Sequence, residues 1–306
     1  MAKQALNGVI FPLVTPFAGE TEDINYEALE QLIDFLIANG ATGVIPCGST
    51  GELVSMTLEE QAAINEFTIK YVNGRVKVYA CTGSYRTSDV VYLSQKAEAA
   101  GADAVMVVTP WYITPNEPEI YEHYKAVRAA IKIPLILYHN PYLTGCWLTA
   151  EFIAKLYNDG IIDACKDSSH DIYRHQTMRA LTDEGFGIFY GYDNCPAEAL
   201  SFYADGWITG VGTLFPAETV HLYNLAKAGK IAECKKFTQE YMRKYMHFFN
   251  EPTNEGLPTP WLAIIKEGLN IRGIHVGLPR KPIGPLPQSV RTDLRNTMEA
   301  FGYLAK

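Results

Sequence analysis

The residue with the most chemical promise is Lys166. It follows Ile161-Ile162-Asp163-Ala164-Cys165 and alternates in phase with Ile162 and Ala164. Burying an ammonium is costly, so a lysine in an aliphatic run needs a reason. One reason is ordinary: a strand-end lysine that snorkels, or pairs with Asp163 or Asp167. The other is chemical. A desolvated amine is more often neutral and can attack a ketone carbon. An unperturbed lysine, with a pKa near 10.4, is less than about 0.1% neutral at pH 7, so a nucleophilic one needs a seat that suppresses its charge.

Two further groups bear on that chemistry. Tyr138 ends the preceding apolar run in phase with Ile136. If the two runs are neighbouring strands its hydroxyl falls near Lys166; otherwise it is a packing residue with a solvated tip. Gly48-Ser49-Thr50-Gly51-Glu52 sets two hydroxyls and consecutive backbone N–H groups between glycines, ahead of a helix. That is either a small anion cradle suited to a carboxylate or a simple strand-to-helix turn.

The elements that must position these groups are legible. Short apolar, β-branched runs cover residues 8–17, 43–49, 77–83, 104–110, 134–141, 161–168, 186–192 and 207–212. Between them lie amphipathic segments. Asn25 starts a helix with Leu29, Leu32, Ile33 and Leu36 at helical spacing and Gly40 as its stop. Thr57 and Glu60 form a capping box that opens the next. Residues 87–100, 119–131, 149–157, 171–182, 196–204 and 218–228 supply the rest. Strands apolar throughout are buried on both faces, and alternation with helices implies parallel pairing. Eight units, with no G-x-G-x-x-G after the first strand, predict an α/β fold: a (β/α)8 TIM barrel rather than an open dinucleotide-binding sheet.

The domain reading is a catalytic barrel over 1–229 and a C-terminal helical extension over 230–306, packed on the barrel. Residues 231–250, 261–268 and 289–304 read as its helices. Phe237, Tyr241, Met242, Tyr245 and Phe249 form a stripe expected in the core or a subunit contact. Chemistry in such barrels sits at the strands' C-terminal ends. Those ends are Thr15, Ser49-Thr50, Thr82, Thr109, Tyr138, Lys166, Gly191 and Gly210, expected to share one mouth.

Composition narrows the partners. The 306 residues carry a formal charge of -8, without a Lys/Arg run, which argues against nucleic acid. No uninterrupted apolar stretch of membrane-spanning length occurs, and residues 1–7 lack a secretory pattern, so the expected location is cytoplasmic. The six cysteines form no C-x-x-C pair and read as reduced, buried thiols. No Cys/His cluster has metal-ligand spacing, so no metal is expected.

Taken together, Gly48-Ser49-Thr50-Gly51-Glu52, Tyr138-His139-Asn140-Pro141 with Thr144-Gly145, Lys166-Asp167-Ser168-Ser169 and Gly191-Tyr192-Asp193 occur in order at strand ends. The set resembles the pyruvate-dependent class I aldolases and lyases that include dihydrodipicolinate synthase and N-acetylneuraminate lyase. The likeness covers essentially the whole chain.

The resemblance implies that Lys166 is the Schiff-base lysine and that Tyr138 shuttles the proton. It implies that Ser49 and Thr50 hold the pyruvate carboxylate, Ser49 also joining a hydroxyl relay. Tyr112 matches a tyrosine lent to a neighbouring subunit's site, and Val211 falls where a backbone carbonyl meets the pyruvate unit. Asp193 and Ser168, with His139 or His170, would read the distal hydroxyls, and Gly191 opens that motif. It further implies a homotetramer, a dimer of dimers, and no cofactor beyond the covalent imine on Lys166.

The family member is read from departures. Dihydrodipicolinate synthases usually continue Y-N-x-P-x-R-T, the arginine binding the aspartate-semialdehyde carboxylate; here Leu143 takes its place, and leucine cannot imitate a guanidinium fork. Gly48-Ser49-Thr50, Lys166-Asp167-Ser168-Ser169 and Gly191-Tyr192-Asp193 resemble sugar-acid lyases and 2-keto-3-deoxy sugar-acid aldolases, although Asn194 replaces a glutamate. The expected activity is therefore reversible cleavage of a 2-keto-3-deoxy sugar acid, or a related 2-oxo acid, to pyruvate and an aldehyde. The alternatives are 4-hydroxy-tetrahydrodipicolinate synthase and a sugar-acid dehydratase of the same family. From other classes come a metal-dependent aldolase or hydrolase using Asp167, Asp193 and histidines, and a pyruvate-binding sensor. Intact Lys166 and Tyr138 argue against the sensor.

Overall fold

The computed structural model describes residues 6–19, 22–242, 248–249 and 261–304. Eight parallel strands close into a barrel: β1 (Gly8–Pro12), β2 (Gly43–Ile45), β3 (Lys77–Cys81), β4 (Ala104–Val108), β5 (Leu135–His139), β6 (Ala164–Asp167), β7 (Gly187–Tyr190) and β8 (Gly206–Ile208). Neighbours in sequence are neighbours in space, and β1 pairs with both β2 and β8. The strand residues are buried throughout, apart from Lys77 at the start of β3. Burial on both faces is what an apolar parallel strand requires.

The strands are shorter than the apolar runs that announce them. In the first run Pro12 has no N–H to give a ladder, and Pro16 interrupts the chain again. Beyond them Phe17–Ala18 pairs antiparallel with Asp23–Ile24 in a small ribbon that the sequence pattern did not suggest.

Eight helices follow the strands: α1 (Tyr26–Ala38), α2 (Leu58–Val72), α3 (Thr87–Ala100), α4 (Glu117–Ala130), α5 (Ala150–Asn158), α6 (Tyr173–Leu181), α7 (Pro196–Phe202) and α8 (Pro216–Lys227). The Asn25 side chain accepts the Ala28 N–H, and the Thr57/Glu60 box forms with both reciprocal bonds. A second box, Asn116 with Glu119, starts α4 two residues before the predicted position. Each such cap is worth about 1 kcal/mol.

The extension holds α9 (Ile231–Phe237), which runs into a π-helical turn Thr238–Met242, then α10 (Trp261–Ile271) and α11 (Gln288–Ala300). Residues 243–247 and 250 of the predicted 231–250 helix, with Tyr245 of its stripe, lie outside the described residues, as do the side chains of Tyr241 and Met242. Phe237 packs against His221, its ring 4.9 Å away. The α10 residues Leu262, Ile264, Ile265 and Leu269 join the same apolar core as the barrel strands. At about 1.5–3 kcal/mol for each fully buried aliphatic side chain, that contact fixes the extension firmly. Five cysteines are buried, Cys195 is half-buried, and all six are free thiols.

Candidate active site

Strands β5 and β6 pair so that Tyr138 lies directly across from Lys166, and His139 across from Asp167. Side chains alternate along a strand, so the first pair faces the barrel mouth and the second faces the helices. The Lys166 Nζ sits 3.9 Å from the centroid of the Tyr138 ring. The Tyr138 hydroxyl accepts a hydrogen bond from Asn140 Nδ2 at 2.9 Å and also bonds to Ser49 and Lys166. Burial pushes the phenol's pKa up, but the Lys166 charge and these three bonds together hold it below the ordinary tyrosine value. A phenol that ionises more readily is a better relay for protons.

The loop after β2 brings Ser49 and Thr50 to the same mouth. Its own turn uses the Gly51 N–H (to Gly48 C=O, 2.9 Å), the Glu52 N–H (to Ser49 C=O, 3.1 Å) and the Leu53 N–H (to Gly48 C=O, 3.3 Å). What it presents to an anion is therefore the Ser49–Thr50 end. A 3-10 turn, Leu53–Ser55, follows, and α2 begins only at Leu58. The helix expected from the Thr57 capping box is thus present, set off from the cradle by that turn. At Gly51 a Cβ would lie 3.0 Å from the Cys47 amide nitrogen and 3.1 Å from the Leu13 carbonyl oxygen, so a side chain there would press on backbone.

Glu52 anchors this loop to the extension. It holds a left-handed backbone, φ 62°, and its buried carboxylate meets Lys266 Nζ of α10 at 2.5 Å and accepts the Arg280 N–H at 2.9 Å. Lys266 also donates to the Leu278 carbonyl at 3.0 Å and lies over the Phe17 ring. Burial lowers its pKa to about 8 against the opposing pull of Glu52. The Arg280 guanidinium grips Glu60 at 2.6 and 2.9 Å and the Glu22 carbonyl at 2.8 Å.

A cavity of about 260 Å³ opens over the paired residues. It gathers Ser49, Thr50, Tyr138, Lys166, Ser168, Gly191, Asp193 and Val211 from the sequence reading, together with His170. Three of these carry constraints. The Ser168 hydroxyl donates to the Gly191 carbonyl at 2.7 Å, which leaves it acting as an acceptor toward a ligand. Gly191 has no room for a side chain: a Cβ would meet Ser168 Oγ at 2.3 Å and Lys166 Cγ at 2.9 Å. The buried Asp193 accepts the Val211 N–H at 3.5 Å.

Other expectations are corrected. His139 does not reach the cavity. It is fully buried on the helix side, its Nδ1 2.7 Å from Asp167 Oδ1 and its Nε2 accepting the Leu148 N–H at 3.3 Å. That pattern places the ring hydrogen on Nδ1. Strand alternation from Tyr138 carried this answer: adjacent residues cannot face the same mouth. Thr15, Thr82 and Thr109 do not line it either; their hydroxyls bond to the Gly51 carbonyl, Ser94 and Thr144 and hold loops in place. Tyr112, not expected in this chain's own cavity, lies outside it, 93% exposed with φ 73°.

Among the lining groups without a role in the sequence analysis are Asn140, Tyr142, Tyr192 and Trp261. Asn140, two residues after Tyr138, was legible from strand phase. Tyr142, Tyr192 and Trp261 were not, because they come from the short helix Pro141–Thr144, the segment after β7, and α10. His170, with φ 65°, stacks between Tyr192 (3.5 Å between centroids) and Tyr142 (4.6 Å), giving the rim an aromatic wall.

Comparison with known proteins accords with this geometry. The profile of the "Dihydrodipicolinate synthetase family" matches residues 5–301. The chain belongs to that family. It is a pyruvate-dependent class I aldolase of the lyase class, a family that works through a lysine Schiff base with pyruvate and an aldehyde as substrates and without a metal requirement. The curated 4-hydroxy-tetrahydrodipicolinate synthase of Bacillus subtilis is 33% identical over 94% of this chain and 96% of its own. That of Oceanobacillus iheyensis is 30% identical over 96% and 97%. Among solved structures, dihydrodipicolinate synthase from Aquifex aeolicus superposes with a TM-score of 0.90 at 28% identity, covering 98% of this chain and 100% of that one. A prophage protein of the family from E. coli K12, solved with pyruvate, gives 0.87 at 28% identity over 97% and 99%. Among the described residues no helix is long and apolar enough to cross a membrane, and no cluster of three or more His, Cys, Asp or Glu could hold a metal.

Proposed function

We propose that Lys166 is the amine that bonds to C2 of a 2-oxo acid, and that Tyr138 moves the protons of carbon–carbon cleavage. The observation that carries this reading is the direct pairing of the two residues across β5 and β6 at the base of the cavity. In the cleavage direction the neutral amine adds to the 2-keto carbon and water leaves, giving an iminium. Tyr138, as phenolate, takes the proton of the C4 hydroxyl. The C3–C4 electrons flow into the iminium, leaving an enamine of pyruvate and a free aldehyde. Protonation at C3 and hydrolysis release pyruvate and restore the amine. Ser49 and Thr50 hold the carboxylate, and the backbone around Val211 borders the pyruvate unit. The lysine supplies the electron sink that an organic cofactor would otherwise supply.

The substrate we favour is a 2-keto-3-deoxy sugar acid or a related 2-oxo acid with an uncharged aldehyde half. Leu143 lies at the rim, and Ser168, His170 and Tyr192 offer neutral polar contacts there. The curated relatives support a second reading, condensation of pyruvate with aspartate semialdehyde. Dehydration of the same iminium by loss of the 4-hydroxyl is a third, open to the same residues. The assembly we infer is a cytoplasmic homotetramer in which exposed Tyr112 is presented to a neighbouring site.

Borohydride reduction in the presence of pyruvate tests the chemistry. A stable adduct mapped to the Lys166 peptide is expected; an adduct elsewhere, or none at any pH, overturns the assignment. A panel of sugar acids and aldehydes then ranks the substrates. Preference for aspartate semialdehyde over every sugar acid would reverse our choice.

A further inference from the structure

We propose that Asp193 is a second proton-transfer group of this site, serving formation and hydrolysis of the iminium on Lys166 rather than contact with the distal end of the substrate. The proposal rests on the reading of Lys166 given above. Asp193 lies three residues past β7, next to the strand that carries Lys166, and lines the same cavity while only 7% exposed. One oxygen is anchored: Oδ2 accepts the Val211 N–H at 3.5 Å. The other, Oδ1, is buried and has no hydrogen-bond partner among the described residues. A buried carboxylate oxygen without a donor is costly, and a ligand or reacting group that supplies one relieves that cost. Gly191 keeps the space between the β6 and β7 ends open, since a Cβ there would collide with the Lys166 stem.

The other proton carrier is already committed. Tyr138 bonds to Asn140, Ser49 and Lys166, and it must also serve the substrate hydroxyl. Iminium formation needs a separate acid. The amine adds to C2, the C–N bond forms, and the former amine proton passes to the oxygen to give a carbinolamine. The C–O bond then breaks with both electrons leaving on oxygen. A proton from the Asp193 carboxyl completes the water, and a carboxylate stays opposite the new iminium charge. Hydrolysis runs the same transfers backward, so Asp193 ends protonated. Burial raises the Asp193 carboxyl to about 6, against the lowering pull of its hydrogen bonds and the Lys166 charge. About one molecule in ten is then protonated at pH 7, and the acid is available in neutral solution. The titratable groups facing it are Lys166 on β6, Tyr190 and Tyr192 on its own segment, and Tyr138 and His170 around the cavity; the segment after β8 and α10 present Gly210, Val211 and Ile265.

The test is the rate at which a borohydride-trappable pyruvate adduct forms, measured from pH 5 to 8 without aldehyde. In the wild type a component of that rate is expected to fall as pH rises through about 6. In Asp193→Asn the component is expected to vanish and the rate at pH 6 to drop on the order of a hundredfold. In Asp193→Ala, added acetate is expected to restore much of the loss while the melting temperature stays unchanged by acetate. Either variant trapping pyruvate at the wild-type rate, with only the KM of the aldehyde or sugar acid raised, would make Asp193 a substrate contact and overturn the proposal. Loss in both variants without acetate rescue or a change in the pH profile would overturn it as well. Absence of any adduct in the wild type would instead defeat the Lys166 reading itself.

Discussion

Tyr138 and Lys166 occupy opposite positions of one strand pair, with the lysine nitrogen 3.9 Å from the centre of the tyrosine ring. The hydroxyl at the ring's edge is therefore placed by backbone register, not by a loop, and its position survives removal of its oxygen. Tyr138→Phe should keep the fold and still form a pyruvate adduct with borohydride. Its kcat for carbon–carbon cleavage should fall by about 10²–10⁴-fold. Steady-state kinetics beside adduct mapping checks both halves of that expectation.

Gly191→Ala should damage the site through space alone. The added carbon would sit 2.3 Å from Ser168 Oγ and 2.9 Å from both Lys166 Cγ and the Asp167 carbonyl oxygen. Backbone cannot yield as a flexible side-chain end can, so the lysine stem has to shift. A tenfold or greater loss of kcat/KM, equivalent to about 1.4 kcal/mol, is expected. Unchanged kinetics would show that the β6–β7 junction relaxes freely.

Leu143 is 55% exposed at the rim of the cavity, so it can be exchanged at a stability cost within about 0.5 kcal/mol. Leu143→Arg adds a guanidinium able to grip a carboxylate. The KM for aspartate semialdehyde should fall by about tenfold, and that for neutral aldehydes should not. Competition assays with the two aldehyde classes read this out.

Lys266→Met leaves the Glu52 carboxylate buried without its cation, and a loss of about 3–5 kcal/mol in folding stability is expected. Adding Glu52→Gln removes the stranded charge and keeps an acceptor for the Arg280 N–H. The double variant should recover most of the loss. Urea unfolding of the four proteins gives the coupling directly.

Asp167 sets an acid limit. Burial works to raise its pKa, but hydrogen bonds from His139 and His175 hold the carboxyl well below the usual carboxylate range. Its stabilisation is thus fully present above the unfolded value of about 3.9 and is lost as pH falls toward the folded one. Stability should decline steeply below about pH 4 in the wild type. Asp167→Asn should be weaker at pH 7 and show a flatter decline. Urea midpoints across pH 7 to 2 discriminate the two slopes.

Much of this was readable from the chain. The barrel followed from eight apolar runs separated by capped helices, and Lys166 and Tyr138 followed from strand phase. Period-2 alternation also determined that His139 faces away from the mouth, but its placement beside a motif tyrosine drew it toward the site. The strand ends were overestimated because the runs were carried into residues that already turn out of the ladder, such as Thr82-Gly83, Thr109-Pro110 and Asn140-Pro141. Trp261 and the Glu52–Lys266 pair were hidden for another reason: more than two hundred residues separate those partners, and no local periodicity encodes so distant an encounter. Asn140 was missed despite a signal in plain view, two positions beyond Tyr138.

The tie between Glu52 and the segment around residues 266–280 has a bearing on how the enzyme is born. A ribosome delivers the first strand, the lysine and the tyrosine long before it delivers Lys266 and Arg280. A nascent chain can thus close its sheet while the loop bearing Ser49 and Thr50 still lacks its counter-ions. The Ser49–Thr50 loop therefore gains its tether only after every strand of the barrel has been made.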